Sequence, residues 1–176
     1  MAAGGPDGED GTSAPTAEAS AAAAGLDSPL GLCSLVSQEA ATAALGEAVG
    51  PGEPDRSSTF SDSYHCRYTA TGSDSVLDLQ VDPGESREDW EGHMSDVGLD
   101  DETALTGIGE AALRPDDAVL GPGTRLSAYV DGYSIWVVMY TAADPETVYA
   151  AAEQVARDLI AELPAYVAEP TEEPGP

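Results

Sequence analysis

Apolar positions recur along this chain with two different periods, and the switches between them mark out its elements. Tyr64, Cys66 and Tyr68 alternate with His65 and Arg67, and after the turn residues Thr71 to Asp74, Leu77, Leu79 and Val81 alternate with Asp78 and Gln80. Successive strand side chains point to opposite faces, so these runs predict an antiparallel hairpin with one wet face, ended by Pro83 and Gly84. A second hairpin is predicted from Arg125 to Val130, Asp131-Gly132, and Tyr133 to Tyr140. An Asp-Gly pair between strand patterns specifies a two-residue turn, because both central positions need positive φ. The run Ile135 to Tyr140 does not alternate, which predicts a central strand covered on both faces.

Helical spacing appears in three places. Ser37 is placed to cap Gln38 to Leu45, with Glu39 in the first turn and Gly46 as the left-handed stop. Leu32, Leu35 and Val36 precede it and are expected to pack beneath the sheet. Trp90 and Met94, four apart, fit a short helix over Arg87 to Met94 laid across the sheet. Asp144, Pro145 and Glu146 form a helix start, followed by the stripe Val148, Ala152, Val155, Leu159 and Leu163, with Pro164 as the stop. Gly50 to Ser61, with Phe60 as its one anchor, is predicted to be a surface loop. The fold class implied is α+β: a mainly antiparallel sheet with helices on both faces.

Composition sets the borders. Residues 1–28 and 165–176 are dominated by Gly, Ala, Ser, Thr, Pro and acids and bury too little to offset their ordering entropy, so they are read as disordered acidic segments flanking one domain, 29–164. Thirty-three acids face six arginines and no lysine, for a net charge of -27. Such a field repels phosphate backbones and anionic head groups, so nucleic acid and direct membrane-surface binding are disfavoured. Solubility explains the charge; adaptation to high salt is the alternative. No run approaches the roughly 20 apolar residues of a membrane span, and no basic-then-apolar export signal is legible. Met1-Ala2-Ala3-Gly4-Gly5 reads like the surroundings of a lipoprotein cleavage site without its lipid-bearing cysteine, or else as an arbitrary low-complexity start.

Candidate chemistry is sparse. Cys33 and Cys66 form an even pair and are read as a disulfide, hence as a sign of an oxidising compartment. Buried thiols, or a metal site using His65, are the competing readings. Zinc needs four ligands, and strand neighbours His65 and Cys66 point to opposite faces. Thr106 to Leu113 holds two glycines but lacks the third of a dinucleotide fingerprint, so it reads as a packing turn. The acids Glu88 and Asp89, Asp100 to Glu102, and Asp116 and Asp117 neither support nor exclude a glycosidase pair. No calcium loop and no nucleophile elbow occurs, and His93 reads as a solvated loop histidine. Arg67, Arg87, Arg114 and Arg125 are expected to pair with neighbouring acids. No catalytic residue, metal site or cofactor is assigned.

The ordered residues resemble a known family. A cysteine before "LVSQEAATAALG", a second in "YHCRY", then "TGIGEAAL", a hairpin and a long final helix are similar, over about Pro29 to Leu163, to an actinobacterial secreted lipoprotein family of unknown function. The resemblance implies export, a lipid anchor at the cell surface and a PsbP-like α/β sandwich; this chain departs from it in lacking the anchoring cysteine and signal. The function expected is a monomeric, non-enzymatic binding or accessory domain for an envelope or extracellular partner. The alternative is a carrier of an apolar or lipid-like ligand in a pocket lined by groups such as Trp90, Trp136 and Met139.

Overall fold

The computed structural model describes residues 31–54, 63–97, 104–114 and 123–163. The tails 1–28 and 165–176, Phe60, and the acids Asp100 to Glu102, Asp116 and Asp117 lie outside the described residues. In chain order the elements are α1 (Leu32–Leu35), α2 (Gln38–Leu45), β1 (Tyr64–Thr69), β2 (Val76–Pro83), α3 (Arg87–Asp96), β3 (Ala104–Leu105), β4 (Ala111–Leu113), β5 (Gly123–Val130), β6 (Tyr133–Tyr140) and α4 (Pro145–Glu162). The strands form one six-stranded sheet in the order β1-β2-β6-β5-β4-β3, with every neighbouring pair antiparallel. Helices pack on both faces, so the α+β class with a doubly covered antiparallel sheet is observed.

Local chemistry explains the element ends. Asp131 has φ 45° and Gly132 φ 81°, as a two-residue turn between β5 and β6 demands. The Ser37 side chain accepts from the Ala40 amide at 3.0 Å at the start of α2, and Gly46 ends it in the left-handed region. Asp144 accepts from the Thr147 amide at 3.0 Å and from its hydroxyl at 2.6 Å, opening α4. Ser86, unnoticed in the pattern, caps α3 by accepting from the Asp89 amide at 3.1 Å.

The register sorts side chains between two faces. Cys66, Leu79, Val137 and Leu126 lie in one row on the first face, where they join Leu77, Val81, Ile135, Met139 and Ala128 in a single buried cluster. Over it lie Ala41 and Leu45 of α2 and Val148, Ala152, Val155, Ala156 and Leu159 of α4. Burying each large aliphatic side chain stabilises by roughly 1.5 to 3 kcal/mol, which makes this face the main source of stability. β6 sits between β2 and β5, as its unbroken apolar run requires.

Cys33 lies inside the one-turn helix α1, and its sulfur is bonded to that of Cys66, with Cα atoms 5.2 Å apart. Leu32 and Val36 are buried beneath the sheet. Residues after α2 do not form a detached loop throughout: Glu53 exchanges two backbone bonds with Arg67, at 2.9 and 2.8 Å, and Gly50 donates to Thr69 at 3.0 Å. The chain there runs along the β1 edge and covers part of it, a pairing that Gly and Pro content concealed. Gly109, with φ 56°, lies where an added Cβ would come within 2.5 Å of the Tyr129 carbonyl oxygen. The glycine turn is therefore a packing turn, and it joins two short strands, β3 and β4, that no periodicity announced.

Candidate recognition face

The second face of the sheet is covered by α3 over only part of its area. Trp90 and Met94 on α3, buried to 1% and 0% exposure, pack on Tyr129 and Trp136 with Ala111 and Leu113 at the margin. Trp90 Nε1 donates to the fully buried Ser127 hydroxyl at 2.9 Å, which fixes the helix on β5. Between α3 and the β3–β4 ribbon lies a groove of about 480 Å³ with Trp90, Met94, Leu105 and Leu113 in its wall and Arg87, Glu91 and Glu110 at its polar edge.

Beyond α3, no described helix is packed on the row Arg67, Asp78, Val138 and Arg125, which crosses β1, β2, β6 and β5 in register. The next row along the strands is Thr69, Val76, Tyr140 and Gly123, and Tyr140 is 43% exposed. Gly123 leaves room for the Tyr140 ring: an added Cβ would stand 3.2 Å from its Cδ1 and 2.2 Å from the Met139 carbonyl oxygen. The surface that results is a strip of alternating charge and apolar side chains on a rigid sheet.

Its charges are not equivalent. Arg67 Nε lies 3.1 Å from each carboxylate oxygen of Asp78. Arg87 pairs with Glu91 at 2.8 Å, while Arg114 and Arg157 share Glu153 at 3.3 and 3.1 Å. Arg125 corrects the expectation that it pairs with an acid. Its Cζ stands 3.8 Å from the centroid of the Trp136 ring, and no carboxylate pairs with it among the described residues. The desolvation of this half-buried guanidinium pulls its pKa below the ordinary arginine value, opposed by the nearby Tyr140 phenol.

The proposed pocket residues divide between the two faces. Trp90 and Trp136 meet under α3, whereas Met139 points the other way from β6, fully buried in the α4 core. A pocket formed by all three is ruled out, because Trp136 and Met139 are an odd number of residues apart on one strand. His93 is likewise not in a loop: it occupies the last turn of α3, half exposed, edge-on to Trp136 with ring centroids 6.0 Å apart. Glu88 and Asp89 sit in the first turn of the same helix, and the Ser86 hydroxyl donates to the Asp89 carboxylate at 2.6 Å. Their role there is to satisfy the helix start.

Among the described residues no group of three His, Cys, Asp or Glu side chains is placed to hold a metal ion, and no helix is long and apolar enough to cross a membrane. Sequence reasoning missed Arg125 as a distinct group. Its one legible signal was its place in the strand pattern, two residues beyond the Gly121-Pro122-Gly123 sequence and opposite a Trp-bearing strand. Comparison with protein-family models, curated proteins and solved structures finds no match for this chain.

Proposed function

We propose that this chain is a non-enzymatic recognition domain that works outside the cytoplasm, tethered to the cell surface by a lipid in its precursor form, and binds an envelope or extracellular partner on the second face of its sheet. The carrying observation is the strip Arg67-Asp78-Val138-Arg125 with Tyr140, which no described helix covers, next to a first face sealed by α2 and α4. A rigid sheet presents such a strip without the ordering cost a loop would incur. The Cys33–Cys66 bond supports the compartment, because structural disulfides persist where thiols are not kept reduced. The likeness to secreted actinobacterial lipoproteins supports the anchor.

The test is capture from envelope extracts by immobilised protein with its bridge intact, comparing the wild type with the pair Val138→Asp and Tyr140→Ser. Components held by the wild type and released by the double substitution support the reading. An identical set on both proteins, or none on either, overturns it.

The groove beside α3 favours a second reading, a carrier of an apolar ligand between Trp90, Met94 and Leu113. A lipid seen by native mass spectrometry on protein from its own host, and lost on Met94→Glu, would favour the carrier over the recognition domain.

A further inference from the structure

We propose that Arg125 anchors a binding site for a small ligand carrying a single carboxylate. The inference rests on the recognition reading and names the chemistry of one ligand of that face. Of the arginines in the described residues, four stand within 3.3 Å of a carboxylate, in a chain with 33 acids. Arg125 alone among them has no such carboxylate among the described residues; its contact is with the Trp136 ring.

Stacking on an aromatic face holds a guanidinium in place without using its N–H groups, which leaves the planar fork free to bind an oxyanion with two parallel bonds. The support is rigid. Trp136 is 4% exposed, held edge-on by His93 and packed against Trp90 and Met94. The nearest acid in the same sheet row, Asp78, is already engaged through both oxygens by Arg67, so it does not compete. Val138, in register with Arg125, and the exposed ring of Tyr140 offer apolar surface beside the charge.

Two arguments select a carboxylate with one charge. A half-desolvated cation with no paired carboxylate among the described residues is costly, and a ligand carboxylate supplies a charge-assisted pair there. The net charge of -27 opposes every further negative charge on a ligand, so phosphate dianions and polyanions are penalised more than a monocarboxylate.

The experiment titrates the full 15N-labelled chain with sodium benzoate at constant ionic strength, following the side-chain N–H signals of Arg125 and Trp136. Saturable movement of both signals is expected. In Arg125→Gln the Trp136 response should need about tenfold more benzoate or worse, as loss of a charge-assisted pair implies. Arg157→Gln, on the outer side of α4, should bind as the wild type does, which separates loss of the site from loss of the fold. Benzamide, isosteric and uncharged, should give no saturable response. The proposal is overturned if benzoate gives none either, if Arg125→Gln binds equally well, or if inorganic phosphate at neutral pH binds as tightly as benzoate. Should benzoate fail while the Val138 and Tyr140 substitutions still release captured components, the ligand class falls and the recognition face stands.

Discussion

The Tyr68 hydroxyl donates to the carbonyl oxygen of Val36, 32 residues earlier in the chain, and lies 2.9 Å from that of Cys33. β1 thus grips α1 twice, by a covalent bond from Cys66 and by a hydrogen bond two residues further along the strand. Tyr68 is 1% exposed, so its phenol has exchanged water for these carbonyls.

Tyr68→Phe should keep the fold and cost about 1 to 3 kcal/mol, because a buried carbonyl loses its donor. The urea midpoint should fall with the slope unchanged. Burial raises the Tyr68 pKa, so its contribution is complete below the unfolded tyrosine value of about 10 and is lost as pH rises through the higher folded value. The wild type should therefore lose more stability than Tyr68→Phe between neutral and strongly alkaline pH. Equal losses would show that this phenol is not the titrating group.

Gly52 faces the same latch. An added Cβ would lie 2.7 Å from the Tyr68 ring and 2.9 Å from Cys66 Sγ, against 3.9 Å to the nearest atom for one added at Gly50. Gly52→Ala should cost about 1 to 3 kcal/mol through overpacking, whereas Gly50→Ala should be close to neutral. Thermal midpoints of the two variants measured side by side test the contrast, and a reversed order would refute the packing of this segment on the bridge.

Replacing both Cys33 and Cys66 by serine opens a loop with a sequence separation of 33. The loss should be about 3 to 4 kcal/mol if loop entropy in the unfolded chain dominates. Reduction of the wild type should lower its denaturation midpoint to that of the double variant and add two hydrogens to its mass. An unchanged mass after reduction in denaturant would mean that the bond is absent.

Asp144 should give α4 an acid-sensitive start. Hydrogen bonds from the Thr147 hydroxyl and amide lower its pKa, so its stabilisation is present above the unfolded aspartate value of about 3.9 and disappears as pH falls through the lower folded value. Asp144→Ala should melt below the wild type at pH 7, and the gap should close in strong acid. A gap that persists when the carboxyl is fully protonated would show that the charge of Asp144 is not what stabilises the helix start.

Where each residue's conformation follows from its near neighbours, the residue pattern was enough. The Asp131-Gly132 turn needs only two residues that tolerate positive φ, and both have it. The Ser37 and Asp144 caps need one side chain and an amide three residues on, and both bonds are made. Alternation along β1 and β2, the unbroken run in β6 and the stripe of α4 each record how many faces of an element are buried, which is why the fold class could be read. β3 and β4 could not be read in this way, because strands of two and three residues are too short to carry a period.

The candidate site belongs to another order of information. Whether Arg125 meets an acid or an indole depends on which strand lies beside β5 and in what register, and that is settled by pairing residues far apart in the chain: Arg125 with Val138, Val138 with Asp78, and Asp78 with Arg67. The same register sends Met139 to the core and Trp136 to the opposite face, undoing a pocket that composition made attractive. Local sequence specifies turns, caps and buried faces because those depend on short-range sterics and on the period of the backbone. The guanidinium stacked on an indole exists only once the assembled sheet has set Arg125 beside Trp136 and turned Asp78 toward Arg67.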